Sequence, residues 1–196
     1  MKKLFFATFL SVLFILPACS SAESKPTTTK STSEVVIENI MSRRSIRAYK
    51  AAPIAQDTID LILKTAINAP SANNKQPWEV RVVQNPEVLS QIKALNERGF
   101  YDAPVVIVIA CDTNNPFGAF DSGLLTQNIL LTAESLGLGT CALGGLARTL
   151  VTPEAKPVRD LFNLSDGYEI IVCVALGHKD QFPEAKPREM EKVQVL

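Results

Sequence analysis

The sequence predicts an α+β domain, a mixed sheet of four or five strands packed by helices, and three observations support it. Segments with helical and strand periodicity alternate along the chain, but irregularly, with about four strand-like runs. One run, Ala103-Pro104-Val105-Val106-Ile107-Val108-Ile109-Ala110, is continuously apolar and β-branched, as in a strand covered on both faces. No G-x-G-x-x-G turn follows the first strand. Gly137-Leu138-Gly139 and Gly144-Gly145 do not reproduce that spacing, which disfavours a Rossmann domain.

The chain opens with a segment outside the fold. Lys2-Lys3 precede a short apolar run, Leu4 to Leu16, and then Pro17-Ala18-Cys19. That is a secretory signal, too short for a membrane span. Leu16-Pro17-Ala18-Cys19 resembles the bacterial lipoprotein box, which makes residues 1–18 a signal peptide and Cys19 the lipidated residue. Residues 19–33 are Ser/Thr/Lys-rich without apolar period, a flexible tether, and the folded domain is expected over 34–196. On this reading the domain sits in the bacterial cell envelope, on the periplasmic or cell-surface side, held to the membrane through a lipid anchor only.

Within the domain, Val35, Val36, Ile37, Ile40 and Met41 form a short helical face. Ile59, Ile62, Leu63, Ala66 and Ile67 recur at the spacing of a second helix, poorly capped by Ala55 and ended by Pro70. Trp78-Glu79-Val80-Arg81-Val82 alternates as a half-buried strand. Asn85 caps a helix with Pro86 at its first position, running through Leu89, Ile92 and Leu95 to Gly99. The apolar strand follows, then a long helix from about Phe120 to Leu136 stopped by Gly137. Thr140 to Leu143 is a short strand and Gly144-Gly145 a backbone without side chains. Pro153 to Phe162 is a helix, and Tyr168 to Leu176 the last strand.

Composition narrows the function. The chain is 46% apolar and 20% charged, as a packed globular domain requires. Formal charge is zero, and removal of Lys2 and Lys3 leaves 18 basic against 20 acidic residues. No extended basic face exists, so nucleic acid is not an expected partner. Cys111, Cys141 and Cys173 lie in or beside strand-like runs, the setting of buried thiols; a Cys111–Cys173 bridge is open. There is no metal-ligand spacing, and His178, the only histidine, reads as a surface residue.

Two stretches carry chemistry. Arg43-Arg44-Ser45-Ile46-Arg47 puts three guanidinium groups and a hydroxyl in five residues, suited to holding a phosphate by forked, charge-assisted hydrogen bonds. Ala69 to Trp78 is a Pro-broken loop dense in amides and hydroxyls, able to bond to ring edges. Together they suggest a phosphorylated, flat aromatic ligand, a description that FMN fits.

These motifs, with Asp102-Ala103-Pro104, Asn128, Gly137-Leu138-Gly139, Leu143-Gly144-Gly145 and Gly177-His178-Lys179…Ala185-Lys186-Pro187-Arg188, resemble the FMN-dependent nitroreductase family in order from about Glu34 to Arg188. The resemblance implies an intertwined homodimer with two FMN sites at the subunit interface. It implies that Arg43, Arg44, Ser45 and Arg47 hold the phosphate and the polar ring edge, with Lys186 and Arg188 closing the phosphate site. Pro70, Ser71, Asn74 and Gln76 would contact the flavin across the interface. Gly144 and Gly145 would bring backbone N–H groups to the flavin N5, with Ala142 and Leu143 as flanking backbone. No side chain is assigned as catalytic, since the cofactor carries the reaction. The implied activity is two-electron reduction of nitroaromatic, quinone or related small acceptors by a ping-pong hydride route, with NAD(P)H or another electron donor. Reductive dehalogenation, oxygen-dependent flavin chemistry and a non-catalytic envelope flavin-binding lipoprotein are the alternatives. The long helix around Gly123 to Leu136, with Leu124, Leu125, Asn128, Leu131 and Leu136, is the expected interface element.

Overall fold

The apolar run after Pro104 forms the centre of the molecule. In the computed structural model, which describes residues 30–196, it is strand β2 (Val105–Asp112), buried along its first seven residues. Its two faces feed two cores by simple alternation. Val105, Ile107 and Ile109 pack with helices α2 (Gln56–Ala66) and α5 (Gly118–Ser135), through Ile59, Ile62, Leu125 and Ile129. Val106, Val108 and Ala110 pack on the opposite side with Ile92 of α3 (Pro86–Leu95) and with Leu146 and Leu150 of α6 (Gly144–Leu150). Helices on both faces explain why β2 needs no polar alternation.

The sheet has four strands in the order β1-β2-β4-β3, with β1 Trp78–Val83, β3 Leu138–Ala142 and β4 Tyr168–His178. All three ladders are antiparallel. The mixture of strand directions expected from the sequence comes down, among the described residues, to one parallel bridge between Ser45 and Thr140. A continuous apolar strand is usual in parallel sheets, but full coverage by helices produces it here in an antiparallel one.

The remaining elements follow the sequence with informative departures. Helix α1 spans Thr32–Ser42, so the folded unit begins inside the stretch assigned to the tether. The signal segment and Cys19 lie outside the described residues. Asn85 caps α3 as expected, accepting from the Glu87 and Val88 N–H groups. The helix does not continue to Gly99: Asn96 interrupts it and caps a separate turn, α4 (Glu97–Phe100), by accepting the Gly99 N–H at 2.9 Å. The Pro153–Phe162 helix is likewise split into a 3-10 turn, Pro153–Ala155, and α7 (Lys156–Asp160), with Pro157 in its first turn. Gly144-Gly145 opens α6, a helix that the sequence did not predict.

All three described cysteines are buried and free. Cys111 sits opposite Glu169 and Cys173 opposite Val108, so the register keeps the two thiols apart and removes the bridge. Leu125, expected on the interface face of α5, is fully buried in the chain's own core, and Asn128 donates to the Thr65 carbonyl of α2 at 3.2 Å. Leu136 of the expected set is 40% exposed, and further exposed apolar surface lies on α1, where Val35, Val36, Ile37, Ile40 and Met41 are all at least half exposed, and at Phe117 and Phe120.

Candidate functional site

The cation-rich segment is seated on the sheet by its one apolar member. Ile46 is 2% exposed, and its N–H donates to the Thr140 carbonyl at 2.8 Å. It can lie this close to β3 only because residue 139 is glycine: a Cβ there would stand 2.8 Å from Ile46 Cβ. Gly177 does the same for Tyr49, whose ring carbon would meet a Cβ at 2.7 Å. Tyr49 donates its hydroxyl to the Ile46 carbonyl, and burial holds that hydroxyl above its ordinary titration range, as a neutral donor.

With Ile46 turned inward, its neighbours Ser45 and Arg47 are left partly or fully exposed. Arg44 Nη1 donates to the carbonyls of Met41 at 2.7 Å and Arg43 at 2.9 Å, which fixes the reach of its fork. The Arg47 guanidinium lies over the Tyr101 ring, 5.8 Å from its centroid. Tyr101 and Asp102 both have left-handed backbone, φ 57° and 50°, a strained turn beneath an exposed cation. Nothing in the periodicity around Gly99 reveals this turn.

The C-terminal tail reaches the same place by a direct route. Lys50 donates to the His178 carbonyl and Asp180 to the Ala48 carbonyl, each at 3.0 Å, so the chain leaving β4 runs beside the segment that carries the arginines. Glu134 of α5 ties both together: it accepts from Lys179 Nζ at 2.8 Å, with little of either side chain exposed, and from Ser42 Oγ at 3.4 Å. The result is one cleft of about 200 Å³ in which Arg43, Arg44, Ser45 and Arg47 face Lys186 and Arg188, with Pro183 and Glu184 completing the wall. Five cations against one carboxylate make it a site for an anion. Their field reaches Cys141 on β3: burial pushes that thiol up, and Arg47, the Ser45 hydroxyl and Arg43 oppose the rise. Glu184 was not anticipated from the sequence, although it lies two residues before Lys186.

The other expected residues do not line this cleft. Pro70, Asn74 and Gln76 are exposed and Ser71 half-buried. Their loop is strained and internally bonded: Asn73, Asn74 and Gln76 have φ of 53°, 54° and 48°. Gln76 N–H donates to Ser71 Oγ at 3.0 Å and Gln76 Nε2 to Asn74 Oδ1 at 3.4 Å. Ala142 is exposed at the end of β3, whereas Leu143 is buried, its N–H donating to the Cys173 carbonyl at 2.7 Å and its carbonyl accepting from Ala147. Gly144 and Gly145 are exposed at the first turn of α6, where N–H groups have no partner inside the helix. A Cβ on Gly145 would meet nothing within 4 Å, so the backbone there is open to a flat ligand. Trp78 is half-buried against the α2–α5 core, and His178 Nε2 pairs with the Pro53 carbonyl at 3.2 Å, so both are structural.

Comparison with known proteins identifies the family. The sequence pattern of the nitroreductase family matches residues 40–98 and 88–178. A NADPH-flavin oxidoreductase of Vibrio harveyi is 33% identical over 170 residues, covering 78% of this chain and 69% of the relative. A 4-nitrobenzoate reductase of Pseudomonas putida is 26% identical over 209 residues, covering 77% and 90%. The crystal structure of a nitroreductase with bound FMN from Desulfitobacterium hafniense superposes with a TM-score of 0.76 at 26% identity, over 83% of this chain and 98% of that one. The chain belongs to the nitroreductase family, a family of oxidoreductases.

Proposed function

We propose that the protein is an FMN-dependent oxidoreductase that carries two electrons from a reduced donor to a nitroaromatic, quinone or related small acceptor. The observation that carries this reading is the single cleft in which Arg43, Arg44 and Arg47 meet Lys186 and Arg188. A phosphate monoester brings up to two negative charges and three acceptor oxygens, which suit forked guanidinium donors from two directions. The names of the relatives support the same cofactor and chemistry: one structure holds FMN, one relative is a flavin oxidoreductase and another a nitrobenzoate reductase.

In this reading Arg43, Arg44, Ser45, Lys186 and Arg188 hold the phosphate, and Arg47, steadied over Tyr101, places positive charge at the ring edge. Gly144 and Gly145 turn their N–H groups toward the ring from the start of α6. Bound FMN would supply reversible two-electron chemistry, suited to a ping-pong exchange between donor and acceptor. Pro70, Ser71, Asn74 and Gln76 serve the polar ring edge of the other subunit in a homodimer. That they do not line the cleft of their own chain and that α1 exposes an apolar face both favour that arrangement.

Residues 1–18 act as a lipoprotein signal and Cys19 as the anchor, with the domain in the bacterial cell envelope. A domain facing away from the cytoplasm takes electrons from a reduced quinone or a redox partner; one facing it takes them from NAD(P)H. The same anchor favours a second reading, an envelope flavin carrier without turnover. Purification of the mature chain, visible spectroscopy and anaerobic titration with NADH and NADPH, followed by a panel of acceptors, separate these. A flavin spectrum that bleaches with donor and returns with acceptor supports the enzyme. Bound FMN that no donor reduces supports the carrier, and a colourless protein that takes up no added FMN refutes both.

A further inference from the structure

Carboxylates are seldom fully buried unless something holds them. Asp121, in the first turn of α5, is 2% exposed, and among the described residues no cation lies within ion-pair distance of it. The positive end of α5 offsets part of its charge. Its Oδ2 accepts the N–H of Ala72 at 3.0 Å, a contact 49 positions away in sequence. Ala72 opens the tight turn Ala72–Asn74, from which the chain runs through the left-handed residues Asn73, Asn74 and Gln76. Strained backbone of this kind persists only where its surroundings dictate it. Within the loop, Gln76 N–H bonds to Ser71 Oγ and Asn74 N–H to the Ser71 carbonyl. Asp121 supplies the tether to the rest of the fold. Ser122 beside it is fully buried with an unpartnered hydroxyl, so it adds no second tether.

We propose that Asp121 is the positioning residue of the Ser71–Gln76 loop, its buried carboxylate on the Ala72 N–H holding the left-handed turn that presents the Asn74 and Gln76 amides to the flavin ring. The inference rests on the reading of that loop as a ring-edge contact. Asp121 itself touches neither the ring nor a reacting atom. It acts through the loop.

The test uses the full chain. In FMN-free protein, tryptic cleavage of the Lys75–Gln76 bond reports the loop directly, because Lys75 is exposed within it. Asp121→Ala should speed that cleavage by about tenfold, the loss of one charge-assisted hydrogen bond. Asp121→Asn, whose amide oxygen still accepts, should stay within about threefold of the parent. Ligand affinity separates loop from phosphate grip: Asp121→Ala should weaken riboflavin and FMN by the same factor, whereas Arg44→Glu weakens FMN alone. Unchanged cleavage in a natively folded Asp121→Ala protein overturns the proposal, as does an affinity loss confined to FMN. Where Asp121→Ala fails to fold, hydrogen exchange of the Ala72 amide in the parent decides. Strong protection supports the tether, and exchange at the rate of an open loop overturns it. A parent protein that binds neither ligand refutes the flavin reading, while cleavage and exchange still decide whether Asp121 holds the loop.

Discussion

Gly139→Ala tests how the arginine segment is seated. The added Cβ would stand 2.8 Å from Cβ and Cγ2 of Ile46 and 2.9 Å from Cγ1, where ordinary contact begins at 3.4 Å, so Ile46 must retreat by about 0.6 Å. Ile46 has nowhere to retreat as a side chain, being 2% exposed and fixed through its own N–H to Thr140. The segment therefore moves as a unit and takes Ser45 and Arg47 with it. Overpacking of this kind costs roughly 1–3 kcal/mol. In a domain of this size that is a fall in Tm of roughly 2–12 °C. Charge-assisted hydrogen bonds are directional, so FMN retention should fall on the order of tenfold. Thermal unfolding and ultrafiltration of bound FMN measure the two effects. Ile46→Val in the same background should restore neither, because the Cβ contact remains. A Gly139→Ala protein with parental Tm and parental FMN retention would refute the reasoning.

Arg44→Glu and Arg188→Glu should each weaken FMN binding by more than tenfold, since each replaces attraction by repulsion at the phosphate, with little change in fold; equilibrium dialysis checks this, and unchanged affinity in both rejects the cleft as the phosphate site. Burial pushes the Cys173 thiol up to about 12. Its neutral form is thus favoured on folding: the contribution is intact below the unfolded-state value near 8.5 and is lost as pH rises from there toward 12, by about 1.4 kcal/mol per pH unit at most. Urea unfolding at a series of alkaline pH values should show this decline, and Cys173→Ala should make it shallower without abolishing it, because burial raises the Cys111 and Cys141 thiols as well. Lys179→Met should destabilise the domain by about 2–3 kcal/mol, because it leaves Glu134 largely buried without its cation. Adding Glu134→Gln should recover part of that loss, a coupling that a double-mutant cycle reads.

Local chemistry made much of this molecule legible in its sequence. Asn85 and Pro86 announce α3, and Gly137, at φ 75°, ends α5 as expected. The β-branched run at 105–110 reports burial on both faces but not strand direction, which depends on how the connections return. The helix breaks at Asn96 and after Ala155 lie inside patterns whose apolar spacing continues unchanged. Helix α6 was hidden by two glycines at its start, poor helix formers whose cost is offset by burial of Leu146, Ala147 and Leu150. The arginines and the Lys-Pro-Arg tail were visible as chemistry, and their meeting in one cleft follows from pairing between Ala48–Lys50 and the end of β4. Asp121 has no signal in the sequence, because burial of a carboxylate is a tertiary fact that no local pattern records.

The anion cleft draws on residues just after the first helix and on residues a few positions from the C-terminus. Whatever binds both sides serves as a non-covalent clasp between the two extremities of the domain. Occupancy then adds to resistance against unfolding, about 2.7 kcal/mol at a hundredfold excess over the dissociation constant. Fraying at either terminus opens the clasp, and an intact clasp suppresses fraying at both. Supply of the occupant therefore governs how long the protein survives proteolysis as directly as it governs what the protein can do.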